Sequence, residues 1–154
     1  MKSIVLFVSA IAMIVGISST TLSAGGHQNP AGILNMTITV PESEEKKVDA
    51  FFAEHASWMK KTHHLVGSME PVIMSYKILK SPVYKNPMNP ADGTTGEIIY
   101  VISEEYKRPA GLQKHLEMGQ KWERIKEMNE MFGKYMGMGK ATFVAFPQVI
   151  QSYP

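Results

Sequence analysis

The stretch "EEYKRPAGLQKHLEMGQKW", residues 104–122, decides the fold. A strand ends in an acidic and aromatic turn, and Pro109 then suits the first position of a helix. That helix carries His115 near its middle and leads on to Trp122. The stretch therefore predicts a strand, a tight turn and a helix in direct succession.

Hydrophobic patterning on both sides of this unit predicts the remaining elements. Alternation indicates strands over 33–40, 71–79, 97–106 and 141–150, and helical spacing indicates helices over 43–66, 109–118 and 120–136. Residues 80–96 are rich in proline and glycine and are expected to form a long loop. Glu104 and Glu105 stand at the end of the third strand, where we expect solvent to cover them.

The order β-α-β-β-α-β is the ferredoxin-like pattern, an α+β fold. It predicts one four-stranded antiparallel sheet with the helices on one face. The strands also place apolar residues on the opposite face, and such a face needs a second cover. The simplest cover is a second copy of the chain. We therefore expect a homodimer through sheet faces, which closes the two sheets into a dimeric α/β barrel.

Composition narrows the range of functions. The chain has 154 residues, of which 44% are hydrophobic and 19% charged, so a single domain with a proper core is expected. The net charge is only +2 and the basic residues are scattered, so the sequence lacks the basic patch that is typical of nucleic-acid binding. The chain has no cysteine, which excludes disulfides and thiolate chemistry. No nucleophile elbow or phosphate-binding glycine loop is present.

The N-terminus has the layout of a secretory signal peptide. Lys2 precedes an apolar run over residues 4–17, and the small polar segment "SSTTLSAGG" follows. The run is short for a membrane span, which needs about 20 apolar residues. We expect a signal peptide over 1–24, a flexible lead-in over 25–32 and the domain over 33–154. The mature protein is then periplasmic or secreted and free of the membrane; an uncleaved anchor is the alternative.

The chain resembles the dimeric α/β-barrel superfamily, and within it the antibiotic biosynthesis monooxygenase-like branch. The resemblance covers residues 33–150 and rests on the element order and on the stretch 104–122 with its central histidine. It implies a pocket between helices and sheet. In catalytic members of that superfamily the pocket oxidises aromatic or polycyclic substrates without a metal or flavin. Some relatives cleave haem with an asparagine, a tryptophan and a histidine.

Candidate site residues follow from helix faces and from this resemblance. His115 borders the inward stripe of its helix and could act as a base or orient a ligand. His55 lies seven residues after Val48 on the same face of its helix, so the two imidazoles could converge. The predicted catalytic set is His115, His55 and Asn35, and the predicted ligand-binding set is Trp122, Tyr100 and Trp58. Tyr100 belongs there only if its strand face points to the helices. The expected ligand is a small apolar or aromatic molecule, with no cofactor and no metal.

Two other functions remain open. The same dimer could be a binding or assembly module without chemistry. It could also handle copper or haem, because thioethers bind Cu(I) and methionines crowd residues 128–138. His63 and His64 fit the dipole at the end of the first helix. The eight-residue separation of His55 and His63 does not fit the zinc pattern of two histidines four residues apart.

Overall fold

A computed structural model describes residues 32–147. Its strands are β1 (Gly32–Pro41), β2 (Ile73–Tyr84), β3 (Thr94–Tyr106) and β4 (Ala141–Ala145). Its helices are α1 (Glu45–Thr62), α2 (Pro109–Gly119) and α3 (Ile125–Met136), with short 3₁₀ turns at Glu42–Glu44 and Pro90–Asp92. The predicted signal peptide, most of the lead-in and the last residues of the predicted domain lie outside the described range.

The four strands form one antiparallel sheet in the order β2-β3-β1-β4. Each β-α-β unit therefore leaves room for one strand of the other unit between its own two, which is the split arrangement of ferredoxin-like folds. The predicted α+β fold with a four-stranded antiparallel sheet is confirmed. The break predicted between the last two helices is also present, since α2 ends at Gly119 and α3 begins at Ile125.

The loop predicted over 80–96 is much shorter than expected. β2 runs on to Tyr84, which pairs with Thr94 of β3, so only residues 85–93 connect the two strands. Pro82 is tolerated because β2 is an edge strand, where a missing N–H leaves no neighbour unpaired. The pairing becomes irregular between Pro82 and Tyr84. Pro82 therefore lies within a hairpin arm, and the remaining prolines of this segment lie in the short connection.

All three helices cover the same face of the sheet. Alternate residues of β1, such as Leu34 and Ile38, are buried in a common core with Phe51 of α1, Leu112 of α2 and Tyr135 of α3. The intervening residues of β1 and β3 point to the opposite face.

Within residues 32–147, every helix is too short or too polar to cross a membrane.

Candidate functional site

Three histidines lie side by side under the helical layer. His55 belongs to the buried stripe of α1, His63 follows directly after that helix, and His115 lies on α2. Their exposed fractions are 4%, 9% and 6%. The ring centroids of His55 and His115 are 6.2 Å apart, and those of His63 and His115 are 5.1 Å apart. The predicted convergence of His55 and His115 is therefore present, and His63 joins them.

The sheet contributes a carboxylate and two tyrosines to the same place. Glu104 of β3 is fully buried, so the expectation that solvent covers it is wrong. It lies on the inner face of β3 because it keeps the phase of Tyr100 and Ile102. Tyr76 of β2 pairs with Glu104 in the register of the sheet, and Tyr106 lies two residues further along β3.

A chain of hydrogen bonds fixes the tautomers of two imidazoles. Thr62 Oγ1 donates to the Trp58 carbonyl at 2.7 Å, so it can only accept from His63 Nδ1, at 2.9 Å. In a neutral His63 the Nε2 atom then carries a lone pair. His115 Nδ1 donates to that atom at 3.0 Å. The network therefore leaves a lone pair on His115 Nε2.

This lone pair faces a carboxylate oxygen. His115 Nε2 lies 3.4 Å from Glu104 Oε2, and Tyr106 donates to the same oxygen at 2.6 Å. Glu104 Oε1 is buried and has no hydrogen-bond partner among the described residues. His55 Nδ1 is hydrogen-bonded to the Tyr76 hydroxyl at 2.8 Å, which leaves its Nε2 available to a ligand. One ligand atom each from His55, Glu104 and His115 lies within 4.8 Å of the others.

Burial dominates the electrostatics of this cluster. Burial, with a smaller contribution from the neighbouring imidazoles, lowers the pKa of His55 to about 4 and that of His115 to about 3. Burial also lowers the pKa of His63 to about 4. Burial also raises the pKa of Glu104 to about 7, against the lowering effect of the Tyr106 hydrogen bond. The imidazoles are therefore neutral bases, and the carboxyl group holds its proton up to neutral pH.

Two tryptophans separate this cluster from the surface. Trp58 of α1 and Trp122, between α2 and α3, are stacked with ring centroids 5.5 Å apart. Behind them is a cavity of about 40 Å³ that His55, His115 and apolar side chains also line. In front of them is an open groove of about 470 Å³ lined by Glu54, Ser57, Lys61, Lys121 and Glu123. The tryptophan pair is a shared wall of the two spaces.

The structure brings four of the six predicted site residues together: His55, His115, Trp58 and Trp122. Tyr100 points towards the helices, as its role requires, but its hydroxyl donates to Asp49 Oδ1 at 2.7 Å and its ring packs on Phe52. It does not line the cavity. Asn35 alternates with the buried Leu34 and Met36, so it lies on the opposite face of the sheet from the imidazoles.

Glu104, His63, Tyr76 and Tyr106 were not among the predicted site residues. The sequence does contain a signal for Glu104, because this carboxylate keeps the phase of the buried residues of its strand. His63 offers none, because its burial depends on how the chain leaves α1. The methionine-rich segment is divided: Met128 and Met131 pack against the core, whereas Met136 and Met138 are exposed.

Comparisons of the chain with protein-family models, with curated proteins and with solved structures gave no match.

Proposed function

We propose that the protein binds a small molecule with an apolar or aromatic part at the Trp58–Trp122 pair, with the imidazoles of His55 and His115 as the polar end of the site. The observation that supports this most directly is the position of the pair. Its outer side forms a wall of the surface groove, and its inner side forms a wall of the cavity that holds the two histidines.

The sizes of the two spaces define the ligand. A cavity of about 40 Å³ exceeds the roughly 10–15 Å³ that one water molecule needs, but it takes only a small substituent in this conformation. The groove, at about 470 Å³, falls in the range of ordinary ligand sites. An aromatic body therefore rests in the groove against the tryptophans. Lys61 and Lys121 beside Glu54 and Glu123 would suit a polar or charged substituent on it.

The chemistry that these residues could perform is proton transfer without a cofactor. His115 Nε2 carries a lone pair, and its ring is held by His63 on the other side. A base so oriented could take a proton from a group that enters the cavity. The ferredoxin-like fold and the buried imidazoles favour membership of the dimeric α/β-barrel superfamily, in its monooxygenase-like branch. A binding module without turnover would use the same pocket, and only assays with the ligand separate the two.

The proposal includes export and a homodimer. The outer face of the sheet carries Leu79, Val101 and Val144 among polar neighbours, and the described helices all pack on the other face. A second copy would cover this face, and the ligand site would remain accessible on the helical side. The apolar run at residues 4–17 supports export to the periplasm or beyond.

The first experiment is native mass spectrometry of protein purified from its own compartment, which reports the subunit number and any retained small molecule. Binding is then measured with 1-anilinonaphthalene-8-sulfonate, an aromatic anion, by its fluorescence. We expect Trp58→Ala to weaken probe binding at least tenfold and His115→Ala to weaken binding of any retained ligand. Tyr84→Ala removes an aromatic side chain far from the groove and should bind the probe like wild type. Unchanged binding by Trp58→Ala would contradict the proposal.

A further inference from the structure

We propose that His55, His115 and Glu104 hold a divalent first-row transition-metal ion, Zn²⁺ or Fe²⁺. This inference rests on the proposed function in one respect only: the ion would form the polar end of the same ligand site. Because the ion would occupy the lone pair of His115 Nε2, it would take the place of the cofactor-free base chemistry described above. Metal binding itself requires no organic ligand, so the two proposals can fail separately.

Distances support the ion. In a tetrahedral site with bonds of about 2.1 Å, the ligand atoms are about 3.4 Å apart. His115 Nε2 and Glu104 Oε2 have this separation, at 3.4 Å, which is long for a hydrogen bond. The His55 atom completes a group whose members lie within 4.8 Å of one another. Binding would therefore require the His55 ring to move inward by up to about 1.4 Å, the difference between the 4.8 Å limit and the roughly 3.4 Å of a tetrahedral site.

The hydrogen bonds leave a place for positive charge. The tautomer chain from Thr62 through His63 leaves a lone pair on His115 Nε2, opposite an oxygen of Glu104. Two acceptors at this distance repel one another unless a cation or a proton lies between them. Glu104 Oε1, buried and without a partner among the described residues, adds a second unsatisfied acceptor. Such an atom is costly to bury, and an ion bound by both oxygens of the carboxylate would satisfy it.

Each of the three proposed ligands has a hydrogen-bond partner of the kind that orients metal-binding side chains. His115 donates through Nδ1 to His63, His55 is held through Nδ1 by Tyr76, and Glu104 accepts from Tyr106. Partners of this kind fix the ring orientation and the tautomer of metal-binding histidines.

The donor set selects the class of ion. Two imidazole nitrogens and one carboxylate suit Zn²⁺ and Fe²⁺, whereas Mg²⁺ and Ca²⁺ prefer oxygen ligands throughout. Three protein ligands leave at least one position open, as in catalytic rather than structural metal sites. That open coordination position would face the cavity that His55 and His115 line. The ligand proposed above would then approach the ion through this cavity.

The test is metal binding by the purified, chelator-treated protein. Titration with Co²⁺, followed by its visible spectrum, and calorimetry with Zn²⁺ and with anaerobic Fe²⁺ should each show one ion per chain. We expect Glu104→Gln and His115→Ala to weaken binding at least about 100-fold, and His63→Gln, which removes only a supporting partner, to weaken it about 10- to 100-fold. His64→Ala removes an exposed histidine outside the cluster and should bind like wild type.

Circular dichroism and thermal unfolding check that each variant folds. A second measurement guards against a general loss of structure: Zn²⁺ should raise the melting temperature of the wild type and leave that of Glu104→Gln unchanged. If the folded wild type takes up no ion, or if Glu104→Gln binds as tightly, the metal site is refuted and a proton occupies the place between His115 and Glu104. Aromatic-probe binding that depends on Trp58 would survive that result. An ion bound without any Trp58-dependent probe binding would refute the ligand site alone.

Discussion

Glu104 is a side chain whose charged form is unfavourable in the folded protein. It is fully buried, one of its oxygens accepts from Tyr106, and the other has no partner among the described residues. An ionised carboxylate in this position loses its hydration with little in exchange, which is why its pKa rises to about 7. Without a bound cation, the charged form therefore opposes folding.

Because burial disfavours the charged form of Glu104, the stability of the protein depends on pH with a defined sign. The pKa of Glu104 is about 7 in the folded state and 4.5 for an ordinary glutamate, so between these values the folded state binds more protons. The contribution of Glu104 is therefore full below pH 4.5 and falls as the pH rises through 7. In metal-free protein, we expect wild type to lose up to about 3 kcal/mol of stability relative to Glu104→Gln between pH 4.5 and pH 8.5. Urea unfolding of both proteins at several pH values measures this difference, and parallel curves would contradict it.

The buried histidines give the stability a pH dependence of the opposite sign. The folded-state pKa of His63 is about 4, against 6.5 for an ordinary histidine, so between these values the unfolded state binds more protons. Its contribution is present above pH 6.5 and is lost as the pH falls towards 4. We expect metal-free wild type to be less stable at pH 5 than at pH 6.5. His63→Gln keeps a hydrogen-bonding side chain but cannot titrate, so its unfolding free energy should fall less over this interval. An equal fall in the two proteins would mean that His63 is not the neutral, buried base described here.

At the scale of the elements, close approach of β1 and α2 places the histidine helix on the sheet. A Cβ atom on Gly32 would lie 2.8 Å from the Arg108 carbonyl oxygen and 2.9 Å from Leu112 Cβ. Both neighbours are constrained, one by the backbone and the other by the core. Only glycine lets the start of α2 lie this near to β1.

Two glycine substitutions should therefore act in opposite directions. We expect Gly32→Ala to destabilise the protein by about 1–3 kcal/mol, because β1 and α2 must separate to admit the methyl group. Gly133→Ala is the matched control: a Cβ there meets nothing within 4 Å, and alanine favours the interior of α3 by up to about 1 kcal/mol. Chemical unfolding of both variants measures the difference. A neutral Gly32→Ala would show that the contact of α2 with β1 can relax.

The elements also show how far sequence reasoning extends. Alternation and helical spacing are local, so they located the four strands and the three helices. The meeting of Tyr76 with Glu104 depends on the pairing register of β2 and β3, and no local pattern encodes that register. His63 is buried because the chain turns into an extended conformation after α1, and this too is a tertiary result. The sequence could thus predict the two helical histidines and the tryptophans of the site, and also the inward phase of Glu104 on its strand, but not the partners that meet this carboxylate.

At the scale of the whole molecule, the sheet has two unequal faces. The inner face is buried under three helices and carries the site. The outer face has Val101 near its centre, where β3 pairs with Thr37 of β1 on one side and Leu79 of β2 on the other. Leu79 is 57% exposed in the single chain. Exposed apolar side chains in neighbouring strands often mark a contact surface.

A charge at the centre of this surface tests the proposed dimer. We expect Val101→Glu to yield a folded monomer, because two carboxylates would be buried face to face across the interface, whereas solvent covers them in a single chain. Met88→Glu adds the same charge at an exposed apolar residue in the loop between β2 and β3, and should remain a dimer. Native mass spectrometry and light scattering after gel filtration report the subunit number, and circular dichroism reports folding. A monomeric wild type would refute the barrel. The cluster of His55, His115 and Glu104 lies on the inner face of one chain, so its metal binding should persist in the monomeric Val101→Glu protein.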